Sequence, residues 1–200
     1  MADSHGRPET IALALEALRR QGCERIFHLG DICDSMHAET ADACVRLLQA
    51  HDVSALKGNN DHAVVVNHAG REDGPVSGAT VHYLKQLPLR LDCGEAILCH
   101  SLPFVRKRGL SAMIGTLGDQ EVAEIFKRWP DRILFRGHSH DPLWIRHQEG
   151  KVVRTPLAGR SVVELEDALP CIVSCGALTR GLCLVWDRTR RRLSGVRFFP

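Results

Sequence analysis

Eight cysteines stand at positions 23, 33, 44, 93, 99, 171, 175 and 183, yet no two of them form a C-x-x-C pair. The spacing of a zinc knuckle is therefore absent. Most of the eight lie beside or within apolar runs and read as small core residues of a reducing cytoplasm. No basic-then-apolar leader opens the chain, and no uninterrupted apolar stretch approaches the ~20 residues of a membrane-spanning helix. A soluble, cytoplasmic protein with no membrane partner is expected. Charge of one sign is also missing: 26 Lys and Arg face 24 Asp and Glu, a formal net of +2. Nothing in that balance pulls the chain toward nucleic acid, so no specific nucleic-acid binding is expected. Internal repeats and low-complexity segments are lacking. Two hundred residues with 44% apolar content can bury one substantial core, and a single domain over residues 1–200 is expected.

The chain does carry an α/β rhythm. Pro8 and Glu9 suit a first helical turn, Ile11, Ala14, Leu15 and Leu18 recur at helical spacing, and Gly22 ends the helix. A strand over 26–29 runs into Gly30 and Asp31. A second helix carries Ala41, Cys44, Val45 and Leu48, and a strand over 53–56 runs into Gly58-Asn59-Asn60-Asp61-His62, which reads as turn chemistry. Residues 69–79 read as an exposed loop. A hairpin is expected over 89–99, turning at Cys93-Gly94 and ending at His100-Ser101. A third helix, opened by Asp119 and closed by Pro130, places Val122, Ile125, Phe126 and Trp129 on one face. The strand 132–135 then runs into Gly137-His138-Ser139-His140. Beyond residue 141, the runs 143–147, 152–154, 172–174, 182–186 and 196–199 are expected as an antiparallel meander with no catalytic candidate.

Four strands thus end in a potential metal ligand: Asp31, Asn59, His100 and His138, the last with His140 two residues on. Asp3 and His5 at the start bring the donors to seven, all oxygen or nitrogen and none a thiolate. That set suits a pair of borderline divalent ions rather than a structural zinc. His28, His37, His51, His62, His68, His82 and His147 read as surface or core histidines. Arg106-Lys107-Arg108, shortly after His100, reads either as a phosphate contact or as a solvated loop, and Arg188 to Arg192 as a solvated hairpin turn.

In their order these blocks resemble the calcineurin-like metallophosphoesterase superfamily, whose pattern is D-x-H, G-D-x-x-D, G-N-x-D/E, a lone H after a strand, and G-H-x-H. They stand here as Asp3-Ser4-His5, Gly30-Asp31-Ile32-Cys33-Asp34, Gly58-Asn59-Asn60-Asp61, Cys99-His100-Ser101 and Gly137-His138-Ser139-His140. Ser174-Cys175-Gly176-Ala177 stands where an N-P-G-S segment is common, and the small size is similar to the compact bacterial and archaeal phosphodiesterase branch. The resemblance implies a four-layer α-β-β-α sandwich of two mixed sheets, with metals at the strand ends. It implies that Asp3, His5, Asp31 and His140 hold one ion, that Asp31, Asn59, His100 and His138 hold the other, and that Asp31 bridges them. Mn²⁺ is the expected metal, with Zn²⁺, Fe²⁺, Ni²⁺ and Mg²⁺ compatible. The implied activity is hydrolysis of a small phosphate ester, a phosphodiester before a phosphomonoester, by a hydroxide bridging the metals. Asp31, Asn59, Asp61 and His100 form the expected catalytic group, with Asp61 orienting Asn59 or a metal-bound water. The alternative from another class is a non-catalytic protein-binding scaffold of the same fold.

Three departures from the pattern carry consequences. Asn60 stands where phosphoprotein phosphatases of the superfamily carry histidine, and an amide cannot protonate a leaving group, so good leaving groups are expected. Only Met1 and Ala2 precede Asp3 where the family places an apolar strand. Either the sequence starts short of that strand, the expected case, or the first metal site is loose for want of support. Ser101 replaces a common glycine, with a backbone penalty if φ there is positive.

Overall fold

The computed structural model describes residues 1–71, 73–157, 161–165 and 168–199. Its elements run α1 (Pro8–Arg20), β1 (Phe27–His28), α2 (Ala41–Ala50), β2 (Ser54–Ala55), α3 (Asn59–His68), α4 (Gly78–Gln86), β3 (Arg90–Asp92), β4 (Ala96–Cys99), α5 (Val105–Arg108), α6 (Asp119–Arg128), β5 (Ile133–Arg136), β6 (Leu143–Gln148), β7 (Lys151–Pro156), β8 (Val162–Glu164), β9 (Cys171–Ser174), β10 (Leu182–Asp187) and β11 (Arg192–Arg197). Six strands form a mixed sheet in the order β3-β4-β5-β9-β6-β7, in which β4, β5 and β9 run parallel. The parallel pair β1-β2 and the antiparallel set β10-β11-β8 face it.

Alternation along the strands sorts the apolar residues into layers. On β4, Ala96 and Leu98 point toward the facing strands, where they meet Leu29, Leu56 and Leu193, while Ile97 and Cys99 point the other way onto Val122, Ile125 and Phe126 of α6. Beyond the facing strands a third cluster joins Ile11, Leu15 and Leu18 of α1, Cys44, Val45 and Leu48 of α2, and Val64 of α3 to Val53, Ala55 and Cys183. Helices therefore cover both outer faces of a mixed α/β fold. Each buried Leu or Ile of these stripes is worth roughly 1.5–3 kcal/mol against exposure.

Several expected elements are corrected. The 59–62 block is not a turn but the first turn of α3, and the loop expected over 69–79 gives way at Gly78 to α4, where Ser77 Oγ accepts Thr80 N–H at 3.2 Å; Glu72 of that loop lies outside the described residues. The meander expected after residue 141 is only partly antiparallel. β9 lies at the centre of the six-stranded sheet, parallel to β5, because all four of its residues are buried, as a central strand requires.

The N-terminal segment is anchored on both sides, which counts against the alternative of a loose first metal site. Met1 donates its amino group to Phe27 O and accepts Leu29 N–H, both at 2.9 Å, in a parallel pairing with β1. Ala2 O accepts Leu178 N–H at 2.9 Å on the other side. Asp3 is thus held between two backbone segments rather than hanging loose. A cavity of about 770 Å³ opens nearby between β1 and β10, lined by Met1, Phe27, Leu184 and Trp186, and none of the candidate ligands lines it.

Candidate metal centre

At one rim of the strands the loops crowd together. Gly30 has φ +91°, and a Cβ there would sit 2.7 Å from Gly58 N and from His100 Nδ1. A Cβ on Gly58 would overlap Asp31 N and Oδ1. Only glycine lets these loops touch. The cost of crowding appears beside them: Asp3, His5, Asp31, His138 and His140 have φ of 57°, 44°, 54°, 68° and 58°. Five of the eight non-glycine residues with positive φ among the described residues are therefore candidate ligands, a concentration of backbone strain typical of sites held by their surroundings. Ser101 is not among them, so the penalty foreseen there does not arise; its hydroxyl donates to Gly115 O.

The seven donors come together in two groups. Asp3, His5 and His140 form the first, with His5 Nε2 and His140 Nε2 2.9 Å apart and Asp3 Oδ1 3.6 Å from His140 Nε2. Asp31, His100 and His138 form the second, with His100 Nε2 3.3 Å from His138 Nδ1 and 3.1 Å from Asn59 Oδ1. Asp31 stands between them: its Oδ2 is 3.8 Å from His5 Nε2 and its Oδ1 3.5 Å from His100 Nε2. His100 Nδ1 lies 2.7 Å from Leu29 O, which fixes the proton there and leaves Nε2 as a lone-pair donor toward the centre.

Burial shapes the electrostatics. Asp3 is fully buried, and burial followed by the charge of Asp31 raises its pKa to about 8. Burial, then His100, lowers His138 to about 4. His100 and His140 are also lowered, chiefly by burial. Neutral imidazoles and crowded carboxylates are the protonation states that cations select. Two nitrogens bound to one ion at ~2.0–2.1 Å stand ~2.8–3.4 Å apart in octahedral or tetrahedral geometry, which the 2.9 and 3.3 Å nitrogen pairs match. The donors fit a pair of divalent cations sharing Asp31.

Asp61 acts differently from the expected orienting of Asn59 or a water. Its Oδ1 accepts Ile32 and Cys33 N–H, each at 2.9 Å, and its Oδ2 accepts Gly58 N–H at 2.8 Å. With its acceptors turned to the backbone, it staples the Asp31 loop to the Asn59 loop. Burial, then Asp31, raises its pKa to about 7 against those three donors.

Sequence reasoning saw in Asn60 only a missing acid. In the folded chain it braces Asp31: its backbone N–H donates to Asp31 Oδ1 and its Nδ2 to Oδ2, both at 2.9 Å, while its Oδ1 accepts Ser35 Oγ at 2.8 Å. Ser4 was also overlooked: its Oγ, between two candidate ligands, is 3.0 Å from Nε2 of His28, which is a core histidine as its sequence setting suggested, and donates to Ile32 O at 3.0 Å. The serine's place in D-x-H was the available signal. Of the basic run, Lys107 pairs with Glu124 and Arg108 with Glu121, which favours the solvated reading.

The family profile of the calcineurin-like phosphoesterase superfamily domain matches residues 1–159. No curated protein matches the sequence. Among solved structures, the chain is similar to a metallophosphoesterase from Sphaerobacter thermophilus, with TM-score 0.75 and 22% identity over 98% of this chain and 86% of that one. It is also similar to the protein TT1561 of Thermus thermophilus, with TM-score 0.54 and 12% identity over 100% of this chain and 97% of that one. Both likenesses concern the fold.

Proposed function

Since the chain belongs to the calcineurin-like phosphoesterase superfamily, we propose that it hydrolyses phosphate esters with two divalent cations, Mn²⁺ foremost, and prefers small phosphodiesters. One observation carries the reading: a single carboxylate, Asp31, offers one oxygen to each of two donor groups. Bound there, two cations would neutralise charge on phosphoryl oxygens and lower the pKa of a water from 15.7 toward about 7.

The chain's own residues supply placement. Asn60 and Asp61 fix the carboxylate of Asp31 and the loop beneath it, and Leu29 O sets the tautomer of His100. Asn60 is engaged with Asp31 and Ser35 and carries no acidic proton, and His62 makes no side-chain hydrogen bond among the described residues that would aim it as a substitute acid. Esters whose leaving group departs without protonation are therefore favoured. Eight unpaired cysteines suit a reducing cytoplasm. Among the described residues no helix is long and apolar enough to cross a membrane.

The test is hydrolysis of bis-nitrophenyl phosphate against nitrophenyl phosphate with Mn²⁺. A higher kcat/KM on the diester is expected; preference for the monoester would make the chain a phosphomonoesterase. Two bound ions with no turnover of either would favour the scaffold reading.

A further inference from the structure

Arg136 ends β5 with 4% of its surface exposed, and among the described residues no carboxylate lies within salt-bridge distance of it. Its Nε donates to Ser101 O at 2.9 Å, its Nη2 to Ser101 Oγ at 3.2 Å and its Nη1 to Ser174 Oγ at 3.2 Å. A buried cation without an ionic partner is costly, and a residue needed only to fill space there would be apolar. What the guanidinium grips gives it a reason. Ser101 follows His100 directly, and Ser174 ends β9 on the opposite side of β5. The main chain repeats the same links: Gly137 N–H donates to His100 O at 3.0 Å, and Cys175 N–H to Arg136 O at 2.8 Å. Arg136 therefore ties β4, β5 and β9 together at the row from which His100 and His138 depart. Its rigid planar fork presents donors to both sides at once, which a lysine ammonium cannot do.

We propose that Arg136 is a positioning residue of the metal centre, setting the spacing of His100 and His138 by gripping Ser101 and Ser174 on either side of β5. The proposal rests on the two-cation reading. A role of charge alone makes the opposite prediction: removing a buried cation tightens cation binding, and a lysine in its place changes nothing.

Calorimetric titration of Mn²⁺ into the metal-free full chain separates the two, run on the parent, R136K, R136M, S174A, H100A and the double variant R136K/H100A, with thermal melts of the metal-free proteins alongside. The parent is expected to bind two ions. R136K and R136M are expected to weaken one binding step by about 10–100-fold, the usual effect of removing a group behind a metal ligand, and to leave the other step intact. S174A, which keeps residue 136 and its charge, weakens the same step less. Compared with H100A alone, R136K/H100A is weakened at that step by less than R136K weakens the parent, because the ligand that Arg136 positions is already gone. An unchanged R136K, tighter binding in R136M, or equal weakening of both steps overturns the proposal. A parent that binds no Mn²⁺ removes the two-cation reading itself, and the proposal with it.

Discussion

Removing the metals should leave a protein whose stability falls as pH rises above about 6.5. Asp3 is the cause. Its folded pKa, raised by burial and by Asp31 to about 8, lies far above the ordinary 3.8, so between those values the folded state holds a proton that the unfolded state has released. Where the folded state binds more protons, stability declines with pH, by ~1.4 kcal/mol per unit for one group. The site histidines act oppositely, chiefly below pH 6.5: His138, lowered to about 4, is charged in the unfolded chain and neutral in the folded one, so its contribution grows until the unfolded group has titrated. The metal-free protein should be most stable near pH 6.5, with Asp61, raised to about 7, adding to the decline above it. Between pH 6.5 and 8 the loss is about 2 kcal/mol, or ~4–8 °C in Tm for a chain of this size. Mn²⁺ replaces the proton on Asp3, so its stabilisation should be larger at pH 8 than at pH 6.5. Melting curves across that range, with chelator and with Mn²⁺, make the check. A chelated protein whose Tm is flat or rises from pH 6.5 to 8 would refute the reasoning.

Four substitutions probe other parts of the site. Asp31→Asn weakens the shared ligand and should abolish activity and lower occupancy of both metals, whereas His100→Ala should empty mainly the ion shared with Asn59 and His138; metal content measured after dialysis distinguishes them. Asp61→Ala leaves the Ile32, Cys33 and Gly58 N–H groups unpaired in the interior and should cost about 2–4 kcal/mol of stability, read as the midpoint of urea unfolding. Asn60→Ala removes one of the two donors on Asp31 and should lower Mn²⁺ affinity while leaving the metal-free melt within about 1 kcal/mol of the parent; unchanged affinity would mean that the amide does not position the carboxylate.

The Asp31, Asn59 and His138 blocks were legible because each couples a strand to a glycine and a donor, and His100 because its strand ends on it. The stripes of α1, α2 and α6 were legible through their period. What escaped had no local signal. The Asn59-Asn60-Asp61 opening of α3 uses residues that favour turns, and three consecutive valines blur its helical face, so only packing against α4 and the α1–α2 layer reveals it as a helix. The parallel placement of β9 depends on which strand it pairs with, a long-range choice that a four-residue run cannot announce. Asn60 and Arg136 look like ordinary polar residues until the loops they bind come within reach. The support of Asp3 was missed for the same reason, since its hydrogen-bond partners are Gly30, His138 and Thr179, remote in sequence.

The most direct measurement is anomalous scattering from crystals of the Mn²⁺-loaded protein. Two peaks ~3.5–4 Å apart, with the Asp31 carboxylate between them and the remaining six donors divided three and three, are the predicted result. One peak alone, or two that share no ligand, would contradict it.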